Sequence, residues 1–346
     1  MFTNYSSMHD LQPESSTPPL LWVDNLVKSY PIRKGIFRVR PEILVAVDQI
    51  SFRIQSGETL GIVGESGSGK TTTGRTVLFL EKPTSGTVRF EGRDIGRLDS
   101  RSLRSLRRKM QMIFQDPFES LNSRMTVGEI IEEPFIVHRI GSSRDRYRSV
   151  RELLDRVGLP HSATDKYPHE FSGGQRQRIG IARAIALHPR LIVCDEPVSS
   201  LDVSIQGQIL NLLIDLQLEL GMAYLFISHN LSVVKNISDR VAVMYRGRFV
   251  ETAPAETLYH NPLHPYTQML IAAIPTIDLQ ERPKVQPDIA ETTSIPPSTG
   301  CHFASRCPIQ QEICFRQRPE LVPVPISGEP EHLVACHYHS NPSASS

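Results

Sequence analysis

No run of apolar residues in this chain approaches the roughly 18 that a membrane-spanning helix needs. Nor is there a basic excess: 38 Lys and Arg stand against 37 Asp and Glu, a formal charge of +1. Phosphate-backbone binding usually leaves a clear surplus of positive charge, which argues against nucleic acid as a main partner. The N-terminal stretch Met1 to Pro19 has neither a basic n-region nor an apolar h-region; it is polar and rich in Ser and Pro, as in a disordered tail. A cytosolic chain is expected. Cysteine is scarce, five in 346 residues, and in that compartment thiols are reduced or bound to metal, not paired as disulfides. The remaining composition, 39% hydrophobic and 22% charged, is that of a globular protein. The length allows one large domain with an appendage, or two domains.

Against that background one stretch stands out. Gly64-Glu65-Ser66-Gly67-Ser68-Gly69-Lys70-Thr71 fits the pattern G-x-x-x-x-G-K-[ST]. Thr59 to Val63 before it reads as a buried strand, and Thr72 to Leu80 after it as a helix. The chemistry needs that order. Glycines let successive backbone N–H groups turn inward around phosphate oxygens at a helix N-terminus, where the dipole favours anions. Lys70 is placed to reach β- and γ-phosphates and the Thr71 hydroxyl to ligate Mg²⁺. Gly64 to Thr72 are the candidate nucleotide cradle.

Upstream, Leu21 to Tyr30 alternates like a strand. Tyr30 either stacks on an adenine ring or is an ordinary strand aromatic. Pro31 to Pro41, with Arg33, Lys34, Arg38 and Arg40, reads as a solvated basic loop between two strands, the second being Val45 to Ile54. Downstream, Gly86 to Phe90 reads as a strand, Arg97 to Lys109 as a helix with a basic solvated face, and Met110 to Phe114 as a short strand delivering Gln115. From Asp116 to Pro189 the character changes to a helical insert, with helices expected at Val127–Ile140, Ser143–Val157 and Gln175–Ala186.

In that insert Ser172-Gly173-Gly174-Gln175 opens a helix; Ser172 is a good N-cap, and the two glycines allow close approach to an anion. Leu191 to Asp195 then reads as a buried parallel strand ending in two carboxylates. Asp195 suits a Mg²⁺ ligand, and Glu196 a base for a water attacking the γ-phosphate. Ser199-Ser200-Leu201-Asp202 leads into a helix at Gln206–Leu220. The strand Ala223–Ile227 ends at Ser228-His229. Strands that finish in polar residues at one edge place them at the ligand crevice of an open parallel sheet.

Together these residues resemble the ATP-binding subunits of ABC transporters, in order and spacing, over about residues 21–254. The resemblance implies an α/β P-loop NTPase core with an antiparallel β subdomain and a helical insert, plus a small C-terminal extension. It makes Tyr30 the adenine-stacking residue, Gln115 a Mg²⁺ and coupling residue, His229 the γ-phosphate switch and Glu196 the catalytic base. It also implies that Ser172 to Gln175 touch the ATP held by a second ATPase subunit in a head-to-tail pair, and it places Asp202 among the nucleotide-binding residues. Phe171 and Ser200 stand where leucine and alanine are commoner. Asn261-Pro262-Leu263-His264-Pro265-Tyr266-Thr267 is similar to the His-Pro-Tyr motif of oligopeptide, dipeptide and nickel importers. Glu133-Pro134 and Asp116 to Asn122 resemble the same group, though Ser123 replaces a common proline. The basic insertion after Tyr30 is similar to one of the two paired ATPases of these importers.

Beyond a Pro/Thr/Ser linker at 290–299 come Cys301, Cys307, Cys314 and Cys336, separated by five, six and twenty-one residues. Structural zinc sites usually carry a C-x₂₋₄-C pair, absent here, so an iron–sulfur cluster is favoured over zinc; unligated packing thiols are the third reading. The family's tail carries similar cysteines, linked in some members to a [4Fe–4S] cluster. Cys194, inside a strand, belongs to the core. The expected organisation is a tail at 1–19, an ATPase domain at 20–255 with its helical part at 116–189, and an extension at 256–346. The resemblance implies ATP hydrolysis that energises uptake of peptides or a related small solute. The partners implied are two permease subunits and, indirectly, a solute-binding protein, with this chain peripheral on the cytoplasmic face of the membrane. A non-transport ATPase working on a macromolecular partner is the alternative. The solute is not encoded here, because the selecting pocket would lie in other subunits.

Overall fold

The computed structural model describes residues 18–32, 42–116, 120–274, 299–324 and 332–340. The expectations for the N-terminal tail, the basic loop after Ile32 and the linker at 290–299 fall almost wholly outside these residues. In chain order come β1 (Leu21–Ile32), β2 (Glu42–Ile54), β3 (Thr59–Val63) and α1 (Lys70–Val77). Next are β4 (Ser85–Phe90), β5 (Arg93–Asp94), α2 (Ser100–Leu106) and β6 (Met110–Ile113). The insert holds α3 (Val127–Val137), α4 (Ser143–Arg156) and α5 (Gly173–Ile185). The chain then runs through β7 (Leu191–Asp195), α6 (Val203–Leu220), β8 (Ala223–Ser228), α7 (Leu231–Ile237), β9 (Arg240–Tyr245) and β10 (Arg248–Pro254). The C-terminal part adds α8 (Ala255–His260), α9 (Pro265–Ala272), α10 (Glu312–Arg316), β11 (Val322–Pro323), β12 (Leu333–Val334) and α11 (His337–Ser340).

Two sheets result. A four-stranded antiparallel sheet runs β2-β1-β4-β5; an eight-stranded sheet runs β11-β12-β10-β9-β3-β8-β7-β6, parallel from β9 to β6. The strand period sorts side chains between two cores. Leu191 and Val193 of β7, with Leu225 and Ile227 of β8, pack with the antiparallel sheet. Their alternates Ile192, Cys194, Tyr224 and Phe226 pack with the helical insert and the C-terminal helices. Cys194 is fully buried, as its place inside a strand predicts. The last strands continue the main sheet: Glu251 of β10 pairs with Val334 of β12.

Element edges differ from the sequence expectation where a cap decides them. The expected helix 97–109 reduces to Ser100–Leu106 because Asp99 takes the N-cap role, its side chain accepting from the Ser102 N–H. The expected 127–140 helix ends at Val137, where Arg139 at φ 56° and Gly141 at φ 68° turn the chain left-handed. Three helices begin earlier than expected: at Gly173, where Ser172 caps, and, with no side-chain cap, at Lys70 after Gly69 and at Val203 after Asp202.

Candidate functional site: the nucleotide loop at the parallel-sheet edge

Register brings the site together. Val63 pairs with Ser228, Asp195 with Ile227, and Ile113 with Cys194. The strands therefore end level, and Gly64, Asp195-Glu196, His229 and Gln115 emerge at one edge, where an open parallel sheet places its ligand crevice. The loop from Gly64 to Gly69 closes tightly over the β9–β10 turn. Gly69 sits at φ 108°, and a Cβ there would lie 2.2 Å from the Ala46 carbonyl oxygen. Only glycine allows that approach. The Gly247 N–H of the turn donates to the Ser68 carbonyl at 2.8 Å, and the Ser68 hydroxyl is buried without a partner among the described residues.

Lys70 is 4% exposed, and its Nζ donates to the carbonyls of Gly64 at 2.7 Å and Glu65 at 2.8 Å. Burial pushes its pKa down, while Glu196, Asp195 and Glu65 oppose that. The Thr71 hydroxyl donates to Asp195 Oδ1 at 2.8 Å, and burial raises the Asp195 pKa. A pair of oxygen donors beside the loop, one of them a carboxylate 2% exposed, fits a hard divalent cation. Glu196 adopts φ 47°, an unusual conformation for a non-glycine residue, held by its N–H bond to the Ile227 carbonyl at 2.9 Å. Glu196 Oε2 meets His229 Nδ1 at 3.0 Å and accepts from Gln115 Nε2 at 3.2 Å.

Of the remaining predicted residues, Tyr30 lies beside the end of the loop, its side chain hydrogen-bonded to Thr72, whereas Ser172 to Gln175 and Asp202 lie elsewhere. The Tyr30 hydroxyl donates to the Glu81 carboxylate, and Lys28 Nζ lies 4.9 Å from its ring centroid. Burial, then Glu81, raises its pKa. Ser172 caps α5 in a reciprocal box with Gln175: Ser172 N–H donates to Gln175 Oε1 at 3.1 Å and Gln175 N–H to Ser172 Oγ at 3.4 Å. A Cβ on Gly174 would stand 2.5 Å from Ile205, and one on Gly173 3.3 Å from Leu201. The Ser172–Gln175 turn thus packs against the loop bearing Asp202, both Ser172 and Asp202 being exposed. None of its described hydrogen bonds reaches the Gly64–Thr72 loop.

The four C-terminal cysteines line one cavity of about 20 Å³. Burial pushes Cys307 up to about 11 and raises Cys301 and Cys336. Among the described residues no group of three or more His, Cys, Asp or Glu side chains is gathered tightly enough to hold a metal. A cavity of this size admits about one water molecule, and a four-iron cluster would need the thiols to move outward. The expected iron–sulfur site is therefore not supported by this geometry.

Sequence reasoning missed who holds the loop. The His-Pro-Tyr residue Tyr266 and Arg306 both contact Glu65, and buried Glu251 anchors the segment that carries Tyr266. Pro265 after His264 does signal a helix start, but contacts 201 and 241 residues apart leave no local pattern.

Comparison with known proteins agrees with the geometry. Residues 47–199 match the ABC transporter family model, and residues 250–314 match the oligopeptide/dipeptide transporter C-terminal region. The oligopeptide transport ATP-binding protein AppF of Bacillus subtilis is 51% identical over 93% of this chain and 98% of its own length. The chain belongs to the ABC transporter ATP-binding family. A probable peptide ABC transporter ATP-binding protein of Sinorhizobium fredii, y4tS, is 49% identical over 94% of this chain and 93% of its own. Among solved structures, a dimeric post-hydrolysis state of the ATP-binding cassette MJ0796 bound to ADP and Pi aligns with TM-score 0.61 and 30% identity, covering 68% of this chain and 98% of that one. cbiO1 from Clostridium perfringens aligns with TM-score 0.61 and 27% identity, over 70% and 91% of the two chains. Like these cassettes, this ABC subunit is an ATPase. No helix among its described residues is long and apolar enough to cross a membrane.

Proposed function

We propose that this ABC subunit hydrolyses ATP to drive import of oligopeptides, dipeptides or a related small solute through separate permeases. The observation that carries the reading is the convergence of the Gly64–Thr72 loop, Gln115, Asp195, Glu196 and His229 on one sheet edge. Backbone N–H groups of the loop and Lys70 take the phosphates, and Tyr30 takes the adenine face. Thr71, Gln115 and Asp195 are the residues that would hold Mg²⁺, which when bound offsets charge on the β- and γ-phosphates. Glu196 accepts a proton from the attacking water as its oxygen bonds to the γ-phosphorus and the bond to the ADP oxygen breaks. His229, in contact with Glu196, orients that carboxylate and senses the γ-phosphate. Ser172 to Gln175 and Asp202 face outward to complete the site of a second ATPase copy, identical or different. Transport names among the relatives support this over the non-transport reading.

We take residues 20–255 as the ATPase unit and 256–346 as an attached extension. Permeases would dock in the groove of about 700 Å³ between sheet edge and helical insert, which Gln115, Leu80, Phe114 and Val137 line. Such docking places the chain on the cytoplasmic face of the membrane. The functional reading is tested by affinity capture from membranes followed by peptide-stimulated ATPase assay. Permease co-purification with stimulated turnover supports it; a soluble macromolecular partner without permeases would overturn it.

A further inference from the structure

The nucleotide loop is held from outside by the C-terminal segment. Three groups of Glu65 are engaged at once. Its N–H donates to the Tyr266 hydroxyl at 2.9 Å, and its carboxylate oxygens take Arg306 Nη1 and Nη2 at 3.0 and 2.9 Å. Its carbonyl accepts from Lys70 Nζ at 2.8 Å. Bidentate guanidinium–carboxylate pairs fix orientation as well as distance. The donors are themselves fixed. Tyr266 is fully buried, its ring centroid 4.7 Å from Tyr245 and 5.4 Å from Phe303, and the Arg306 guanidinium lies 5.8 and 5.7 Å from the same two rings. Beneath them Glu251, fully buried, accepts from the N–H groups of Leu263 and His264 at 2.8 and 2.9 Å and pairs with His332 Nε2 at 2.7 Å. Arg306 follows Phe303 within a single helical turn, Ala304–Arg306.

Lys70 is the one of these partners that phosphate also engages. Two of its three N–H donors hold the Gly64 and Glu65 carbonyls and the third is left for phosphate, so any pull of phosphate on Nζ falls on a residue that Tyr266 and Arg306 hold from outside. A loop that keeps its shape when Lys70 engages phosphate is not reordered on binding, so less affinity is lost to ordering. We propose that the C-terminal extension is a built-in clamp that pre-organises the phosphate loop for ATP, with Tyr266 and Arg306 as positioning residues. The inference rests on ATP binding at Gly64–Thr72 and deepens it by assigning the extension a role in nucleotide affinity. Because the groups at Glu196 are untouched, the clamp acts on binding more than on turnover.

The test uses the full-length chain, with Mg-ATP affinity by calorimetry, KM and kcat for ATP hydrolysis, and thermal melting of the unliganded protein. Tyr266→Phe keeps the ring and removes only the hydroxyl; it should weaken ATP binding about tenfold, the scale of one lost hydrogen bond to a half-buried N–H, and raise KM with kcat nearly unchanged. Arg306→Met should do the same, Arg306→Lys should recover part of the affinity, and Glu65→Gln with Arg306→Met should be no weaker than the worse single change. Wild-type affinity in both Tyr266→Phe and Arg306→Met, or a fall in kcat with KM constant, would overturn the clamp. Arg306→Met and Arg306→Lys decide the matter if Tyr266→Phe fails to fold. Failure of the wild-type chain to bind ATP would instead sink the nucleotide-site reading, which separates the two outcomes.

Discussion

Replacing Glu196 by Gln removes one charge and preserves shape, and the surroundings make the change informative. The Glu196 side chain is only 12% exposed, with His229 Nδ1 at 3.0 Å and Gln115 Nε2 at 3.2 Å on the same oxygen. Its φ of 47° and its backbone bond to Ile227 do not depend on the carboxylate, so the backbone twist should survive in the amide. What disappears is the proton acceptor. A positioned base is worth about 10²–10⁴ in rate, so the barrier should rise by about 3–5 kcal/mol. Steady-state ATP turnover should fall to near background while ATP affinity holds or improves, since a carboxylate near the phosphates is neutralised. Phosphate release by a coupled assay, calorimetric titration with Mg-ATP and gel filtration with ATP read the three consequences. The last should reveal a trapped ATP-bound dimer. Wild-type turnover would refute the assignment of Glu196 as base. Lost ATP affinity would refute the claim that the side chain acts in chemistry alone.

Lys70→Ala should weaken nucleotide binding itself, because a charge-assisted contact to phosphate is lost; unchanged calorimetric affinity would count against the loop. Ser172→Arg should leave this subunit's own ATP binding intact and block hydrolysis at the partner's site, with Ser172→Ala controlling for about 1 kcal/mol of lost helix cap. A defect confined to this subunit's own site would refute the outward-facing role. Burial pushes His264 down to about 4 while the unfolded ring titrates near 6.5, and its Nδ1 accepts the Tyr266 N–H at 3.0 Å. The unfolded chain therefore takes up the extra proton first. The contribution is full above about pH 6.5 and is lost as pH falls towards 4, about 3 kcal/mol in all. Denaturant midpoints at pH 7 and 5 should show this loss, and His264→Asn should flatten it; an equal slope in the variant would remove His264 as its source.

Much of the site was legible in the sequence because its chemistry is local. A phosphate loop needs its glycines, Lys70 and Thr71 within eight consecutive positions, and parallel strands that end in polar residues announce a shared edge. Asp195-Glu196, Gln115 and His229 could be placed there before any register was known, since each closes a short apolar run. The helix edges were less legible, because Asp99 caps its helix only in a particular backbone geometry, and α6 starts at Val203 with no side-chain cap from Asp202. Tertiary structure alone decided three matters. It turned Glu196 through a left-handed residue onto Gln115 and His229. It gathered four cysteines around one cavity without closing them into a ligand set. And it carried Tyr266 and Arg306 across 201 and 241 residues of chain onto Glu65. Local spacing reports what neighbouring residues can do together, whereas long-range contacts depend on how two sheets and an extension stack, and that is set by burial summed over the whole chain.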